Sequence, residues 1–159
     1  MIVTHDEIKA VVICGYPGIG KSTAAANRTD ICDAESSAFS HPFDSVTGKQ
    51  KKSNEFPRNY VDFVSKLITD LGGYRYVLCS CHKEVREELN NRGIPYIVVV
   101  PRFNCKDEYM ERYLKRGDSV DFIQTMYDHW EEWHDEIDNS GTAVIHLWEG
   151  QNLSDILPK

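Results

Sequence analysis

The chain has 159 residues, 41% of them hydrophobic, and a formal net charge of −7, a length that suits one domain burying roughly two-thirds of its unfolded surface. The acidic balance argues against a non-specific nucleic-acid binder, because such binding comes mainly from neutralising backbone phosphates, and it favours a small-molecule substrate. No run of about 18 apolar residues is present, and His5, Asp6, Glu7 and Lys9 near the N-terminus are unlike a signal peptide, so a cytoplasmic protein without a membrane partner is expected.

Residues 1–10 form a polar lead-in, and the β-branched run Val11-Val12-Ile13-Cys14 predicts a buried strand over 10–14. Gly15-Tyr16-Pro17-Gly18-Ile19-Gly20-Lys21-Ser22-Thr23 follows and satisfies G-x-x-x-x-G-K-[ST] in full, with a helix predicted from Ser22 to Arg28. The context of strand, glycine loop and helix is what turns the pattern into a phosphate site. Glycines let successive backbone N–H groups face phosphate oxygens, and the helix start adds its positive dipole end. Gly15, Pro17, Gly18, Ile19, Gly20, Lys21, Ser22 and Thr23 are therefore the candidate residues for binding a nucleoside triphosphate. Lys21 is expected to reach the β- and γ-phosphates, and the Ser22 hydroxyl to ligate Mg²⁺.

A second strand is predicted over 29–33, ending in Asp33-Ala34-Glu35. Residues 36–58 lack periodicity and carry Gly48, Pro42, Pro57 and the basic Lys49-Gln50-Lys51-Lys52, which reads as either a lid over the acceptor or a disordered stretch. A helix is expected over 59–71, with Tyr60, Phe63, Val64, Leu67 and Ile68 at helical spacing and Gly72-Gly73 as its stop. Then come a strand over 75–80, a charged helix over 83–91, and the continuous run Tyr96-Ile97-Val98-Val99-Val100, typical of a sheet covered on both faces. Helices are predicted over 106–116 and 119–138, the second with Phe122, Ile123, Met126, Tyr127, Trp130, Trp133 and Ile137 on one stripe that reads as core. A strand over 142–147 and a helical turn over 153–157 close the chain.

Five strands alternating with helices imply right-handed crossovers and an α/β three-layer sandwich with a parallel sheet. Ligands then gather beyond the carboxyl ends of the strands, where Asp33, Glu35, Ser80, His82, Arg102 and Glu149 fall. Asp33 can take the proton of an acceptor hydroxyl or help hold Mg²⁺ through water, and Glu35 can serve in the other role. His82 reads as a substrate contact or a helix cap, and Arg58 as a contact to an acceptor phosphate. His129, His134 and His146 read as structural or solvated. Arg112 and Arg116, at i and i+4 beside Lys115 and before Gly117, share one helical face; on a mobile segment such a pair clamps a transferring phosphate. Five cysteines are an odd count, and Cys14, Cys32 and Cys79 in predicted strands suit reduced thiols. Cys79, Cys81 and His82 find no second pair at zinc-finger spacing.

Gly15–Thr23, Asp33-Ala34-Glu35 and the arginine-bearing Tyr109–Gly117 together resemble the nucleoside and nucleotide kinase branch of P-loop proteins. In length and element order the chain is similar to small phage-type deoxynucleoside monophosphate kinases and their uncharacterised relatives. The resemblance implies an adenylate-kinase-like five-stranded core, ATP with Mg²⁺ as donor, and a small acceptor held under a lid. By it Lys21 and Ser22 carry donor-site roles, Arg112 and Arg116 lid roles, and Asp33 the acceptor-side role. Ser80-Cys81-His82-Lys83 stands where such kinases carry an acceptor motif. The expected reaction is transfer of the γ-phosphoryl group of ATP to a nucleotide or similar small acceptor. Two alternatives stand beside it: a kinase for a hydroxyl on a polynucleotide or a modified base in DNA, and a nucleotide-binding regulatory module with vestigial hydrolysis.

Overall fold

The apolar runs become strands and the amphipathic stretches helices in the order β1 (Val11–Gly15), α1 (Lys21–Asn27), β2 (Ile31–Asp33), α2 (Ser37–Ser40), β3 (Phe43–Asp44), β4 (Lys49–Gln50), α3 (Arg58–Ile68), β5 (Tyr76–Ser80), α4 (Lys83–Asn91), β6 (Tyr96–Pro101), α5 (Lys106–Arg116), α6 (Val120–Asp128), α7 (Trp130–Asp138), β7 (Val144–Leu147) and α8 (Leu153–Ile156). The computed structural model describes residues 7–41, 43–44, 49–50, 52–69 and 73–159.

Five strands form one parallel sheet in the order β2-β5-β1-β6-β7. Its centre is β1, with Val12 beside Val77 of β5 and Tyr96 of β6. Right-handed crossovers put α1 on one face and α3, α4 and α5 to α7 on the other, and α8 packs beside α1. The result is the expected α/β arrangement, consistent with three layers. Connections from β1 run toward β2 and those from β6 toward β7, so the chain parts above the carboxyl ends of these adjacent strands, where a crevice opens.

The core follows from burial on both faces of the sheet. Val12, Cys14, Val77, Leu78, Cys79, Val98 and Val100 are all essentially inaccessible, as are Val61, Val64 and Ile68 of α3 and Val85 and Leu89 of α4. Among the cysteines, Cys14, Cys79 and Cys105 are buried and all five are free thiols. Two buried arginines tie the helices together. Arg92 forks to Glu88 and Asp62 and donates to the Arg58 carbonyl, joining α4 to α3. Arg86 pairs with Glu136, joining α4 to α7.

Two stretches differ from the sequence expectation. The segment 36–58 contains α2 and the antiparallel pair β3–β4, elements of two to four residues, too short for any periodicity to mark them. Of its basic run, Lys51 lies outside the described residues, as do Pro42 and residues 45–48. The helix expected over 119–138 is broken at His129, whose ψ of 6° turns the chain between α6 and α7. The break lets Trp130 reach full burial, with its Nε1 donating to the Phe103 carbonyl at 2.9 Å. Tyr127, read as core, is about half exposed and carries Lys106 over its ring. No helix of the described residues is long and apolar enough to cross a membrane.

Candidate functional site

The glycine-rich loop occupies the turn between central strand β1 and helix α1, and its glycines answer two different constraints. Gly18 and Gly20 have φ of 90° and 95°, the left-handed region that side chains avoid. Gly15 is constrained by crowding: a Cβ there would stand 2.6 Å from Ile19 Cδ1 and 2.9 Å from Lys21 Cδ, so both side chains would have to shift. Ile19 is a buried peg under the loop, and its carbonyl accepts from the Leu153 amide at 2.8 Å. Tyr16, also buried, donates its amide to the Val99 carbonyl of β6. Lys21 begins α1 and curls back, its Nζ donating to the Gly15 carbonyl at 2.7 Å.

A cleft of about 670 Å³ opens over this loop, within the range of small-molecule sites. Pro17, Gly18, Gly20, Lys21, Ser22 and Thr23 line one side of it. Asp33, Glu35, Ser80 and His82 come from the ends of β2 and β5, and Arg112 and Arg116 from α5. Most of the site residues expected from sequence thus meet in one space. Gly15 and Ile19 support the loop from within. Arg58 does not line the cleft; at the start of α3 its guanidinium donates to the Asn54 carbonyl. Arg102 and Glu149 are absent from the lining as well, Arg102 stacking on the Trp148 ring at 3.2 Å. Strand-end position places a residue at the right level of the sheet but not on the right side of its loop.

The two carboxylates differ in their commitments. Asp33 is half buried, and that burial raises its carboxyl above the ordinary value, with Lys21 opposing and Glu35 adding to the shift. Glu35 is exposed and its Oε1 accepts the Ser37 amide at 3.1 Å, so it caps the turn that starts α2. His82 precedes α4 without capping it through its ring; its Nδ1 lies 3.0 Å from the Ser80 hydroxyl.

The arginines of α5 also divide. Arg112 donates through Nε to Glu108, through Nη1 to the Gly18 carbonyl at 2.9 Å and Asn152 Oδ1 at 2.8 Å, and through Nη2 to the Gln151 carbonyl at 3.0 Å. Nη2 also reaches Glu108 Oε2 at 2.6 Å, so each of the guanidinium's five N–H groups has an acceptor. Tyr113, one residue on, donates to the Pro17 carbonyl at 2.7 Å and is fully buried beneath Gly18 with Tyr109. This helix is docked on the loop through its inner face, where the sequence suggests a movable clamp. Arg116 stands at the exposed end, paired with Asp118 across Nε and Nη2. Sequence reasoning missed Asn152, Ser36 and Phe122 as cleft residues; only the capping pair Asn152 and Asp155 at the start of α8 leaves a local signal.

Among the described residues no cluster of three His, Cys, Asp or Glu side chains could hold a metal by itself. Ser22 and Asp33 do line the same cleft. A hydroxyl and a carboxylate are oxygen donors of the kind Mg²⁺ takes, and that ion keeps several waters and needs few protein ligands. Comparison with known protein families gives no match, and none of the curated proteins matches the chain.

Proposed function

We propose that this chain is an ATP-dependent kinase of the P-loop type, transferring the γ-phosphoryl group to a nucleotide or similar small acceptor. The observation that carries the reading is the convergence of the full glycine-loop motif, Lys21 and Ser22 with a half-buried Asp33 in one cleft. The loop and the start of α1 would hold the phosphates, with Lys21 moving from the Gly15 carbonyl to the β- and γ-oxygens. Ser22, and Asp33 through water, would hold Mg²⁺, which offsets phosphate charge.

In the step itself an acceptor oxygen bonds to the γ-phosphorus while the bond from that phosphorus to the β,γ-bridging oxygen breaks. ADP leaves with the electron pair; where the acceptor oxygen is a hydroxyl, Asp33 takes its proton, and where it is a phosphate oxygen Asp33 serves through the water shell of Mg²⁺. Burial raises the Asp33 pKa above its ordinary value, which strengthens it as a base. Arg116, which lines the cleft, would leave Asp118 to follow charge onto the transferring group, because Arg112 is spent on the loop. Five free thiols and an ATP donor suit a reducing, cytoplasmic setting.

The test is a screen of nucleosides, nucleoside monophosphates and oligonucleotides with γ-labelled ATP, run on the wild type and Lys21→Ala. Label should move to one acceptor class with the wild type only, while both proteins give the same circular dichroism. Transfer by neither, or equally by both, would refute the assignment.

A further inference from the structure

A second cavity, of about 400 Å³, lies against the cleft and shares Lys21, Ser80, His82 and Phe122 with it. Its walls are apolar and aromatic: Tyr16, Phe122, Met126, Trp133 and Ile137, drawn from the loop, α6 and α7. Its polar end is the Arg86–Glu136 pair. Arg86 is about 4% exposed and sends Nε to the Cys81 carbonyl at 2.9 Å and one N–H from each terminal nitrogen to Glu136. Of its five N–H groups, two have no acceptor among the described residues, and Glu136 keeps free lone pairs. Buried polar groups are nearly always paired with protein, water or a ligand, and an ion pair gains little as mere core filling.

We infer that this cavity receives the planar ring of the phosphoryl acceptor, a nucleobase-type heterocycle. The aromatic and apolar walls suit its faces. Its polar edge meets Arg86 as donor and Glu136 as acceptor. A ring seated there leaves the attached sugar or phosphate at Lys21, the junction of the two spaces. The inference rests on the kinase reading for its direction. The same ring chemistry is offered by a free nucleoside or nucleotide and by a base swung out of a single strand.

Direct binding tests this without any transfer. Equilibrium dialysis with labelled deoxynucleosides, their 5′-monophosphates and a single-stranded oligonucleotide would be run on wild type, Thr125→Trp, which fills the cavity from its rim, and Trp133→Ala. At least one probe should bind the wild type and bind both variants about tenfold more weakly or worse, with ATP affinity unchanged. Binding by nucleosides or monophosphates assigns the free acceptor, and binding by the oligonucleotide alone assigns the strand; either supports the cavity. Wild-type binding of none of these probes, or binding indifferent to both variants, overturns it. Failure of the wild type to bind ATP would fell the kinase reading separately, leaving the ring site standing on its own dialysis result.

Discussion

Replacing Arg112 by alanine separates two roles for this side chain, brace of the glycine loop and clamp on a transferring phosphate. The brace consists of three hydrogen bonds that leave its own helix, to the Gly18 carbonyl, Asn152 Oδ1 and the Gln151 carbonyl. A hydrogen bond from a charged donor contributes about 1.5–3 kcal/mol. The side chain is 21% exposed, so water can replace some of these contacts, and the set is worth about 2–4 kcal/mol. In a chain of this size that lowers Tm by roughly 4–16 °C. ATP affinity should fall about tenfold, equal to about 1.4 kcal/mol, as the loop loses its anchor. Arg112→Lys should recover less than half of the loss, because one ammonium cannot reach acceptors in three directions. Scanning calorimetry and ATP titration read both variants. A Tm within about 1 °C of wild type, together with turnover down about 10²-fold, would refute the brace and return Arg112 to the transferring phosphate.

Gly18→Ala meets both a φ of 90° and a Cβ position 2.9 Å from Tyr113 Cε1, and should cost about 1–3 kcal/mol in thermal melts; an unchanged melt would mean that the loop shifts freely. Burial raises the Asp33 carboxyl above its ordinary 3.8, so the folded state holds that proton longer than the unfolded chain and stability declines as pH rises through the window above 3.8. Asp33→Asn should therefore melt at or above wild type at neutral pH and lose that margin in acid, while kcat falls by orders of magnitude; a margin independent of pH would contradict the burial argument. In the wild type the acidic limb of kcat/KM should lie above the usual aspartate range and vanish with Asp33. Arg92→Met leaves the largely buried Glu88 without its partner while the exposed Asp62 returns to water, and should cost about 1–3 kcal/mol in denaturant titrations, with a loss near zero marking these contacts as incidental.

The centre of the sheet was legible in the sequence because β1, β5 and β6 are mainly apolar runs, of which Tyr96–Val100 is the longest. The glycine loop was legible because backbone conformation and close contact restrict residue type so narrowly there. The break at His129 was not legible, since the stripe from Phe122 to Ile137 continues through it and only the docking of Trp130 demands the turn. Arg112 and Arg116 look alike in sequence, four residues apart on one face. Their difference comes from Gly18, Gln151 and Asn152, partners too distant along the chain for spacing to reveal. Arg102 and Glu149 failed for the converse reason: topology set their height on the sheet, and side-chain stacking on Trp148 turned Arg102 elsewhere.

The strand order gives the two walls of the cleft unequal footing. The wall carrying the glycine loop grows from β1, which is hydrogen-bonded on both flanks, to β5 and to β6. The wall bearing Asp33 hangs from β2, a three-residue edge strand held by β5 alone. Under the proposed kinase reading this asymmetry makes the Asp33 side the more yielding jaw, the one expected to adjust to acceptors of differing bulk while the loop side holds its shape.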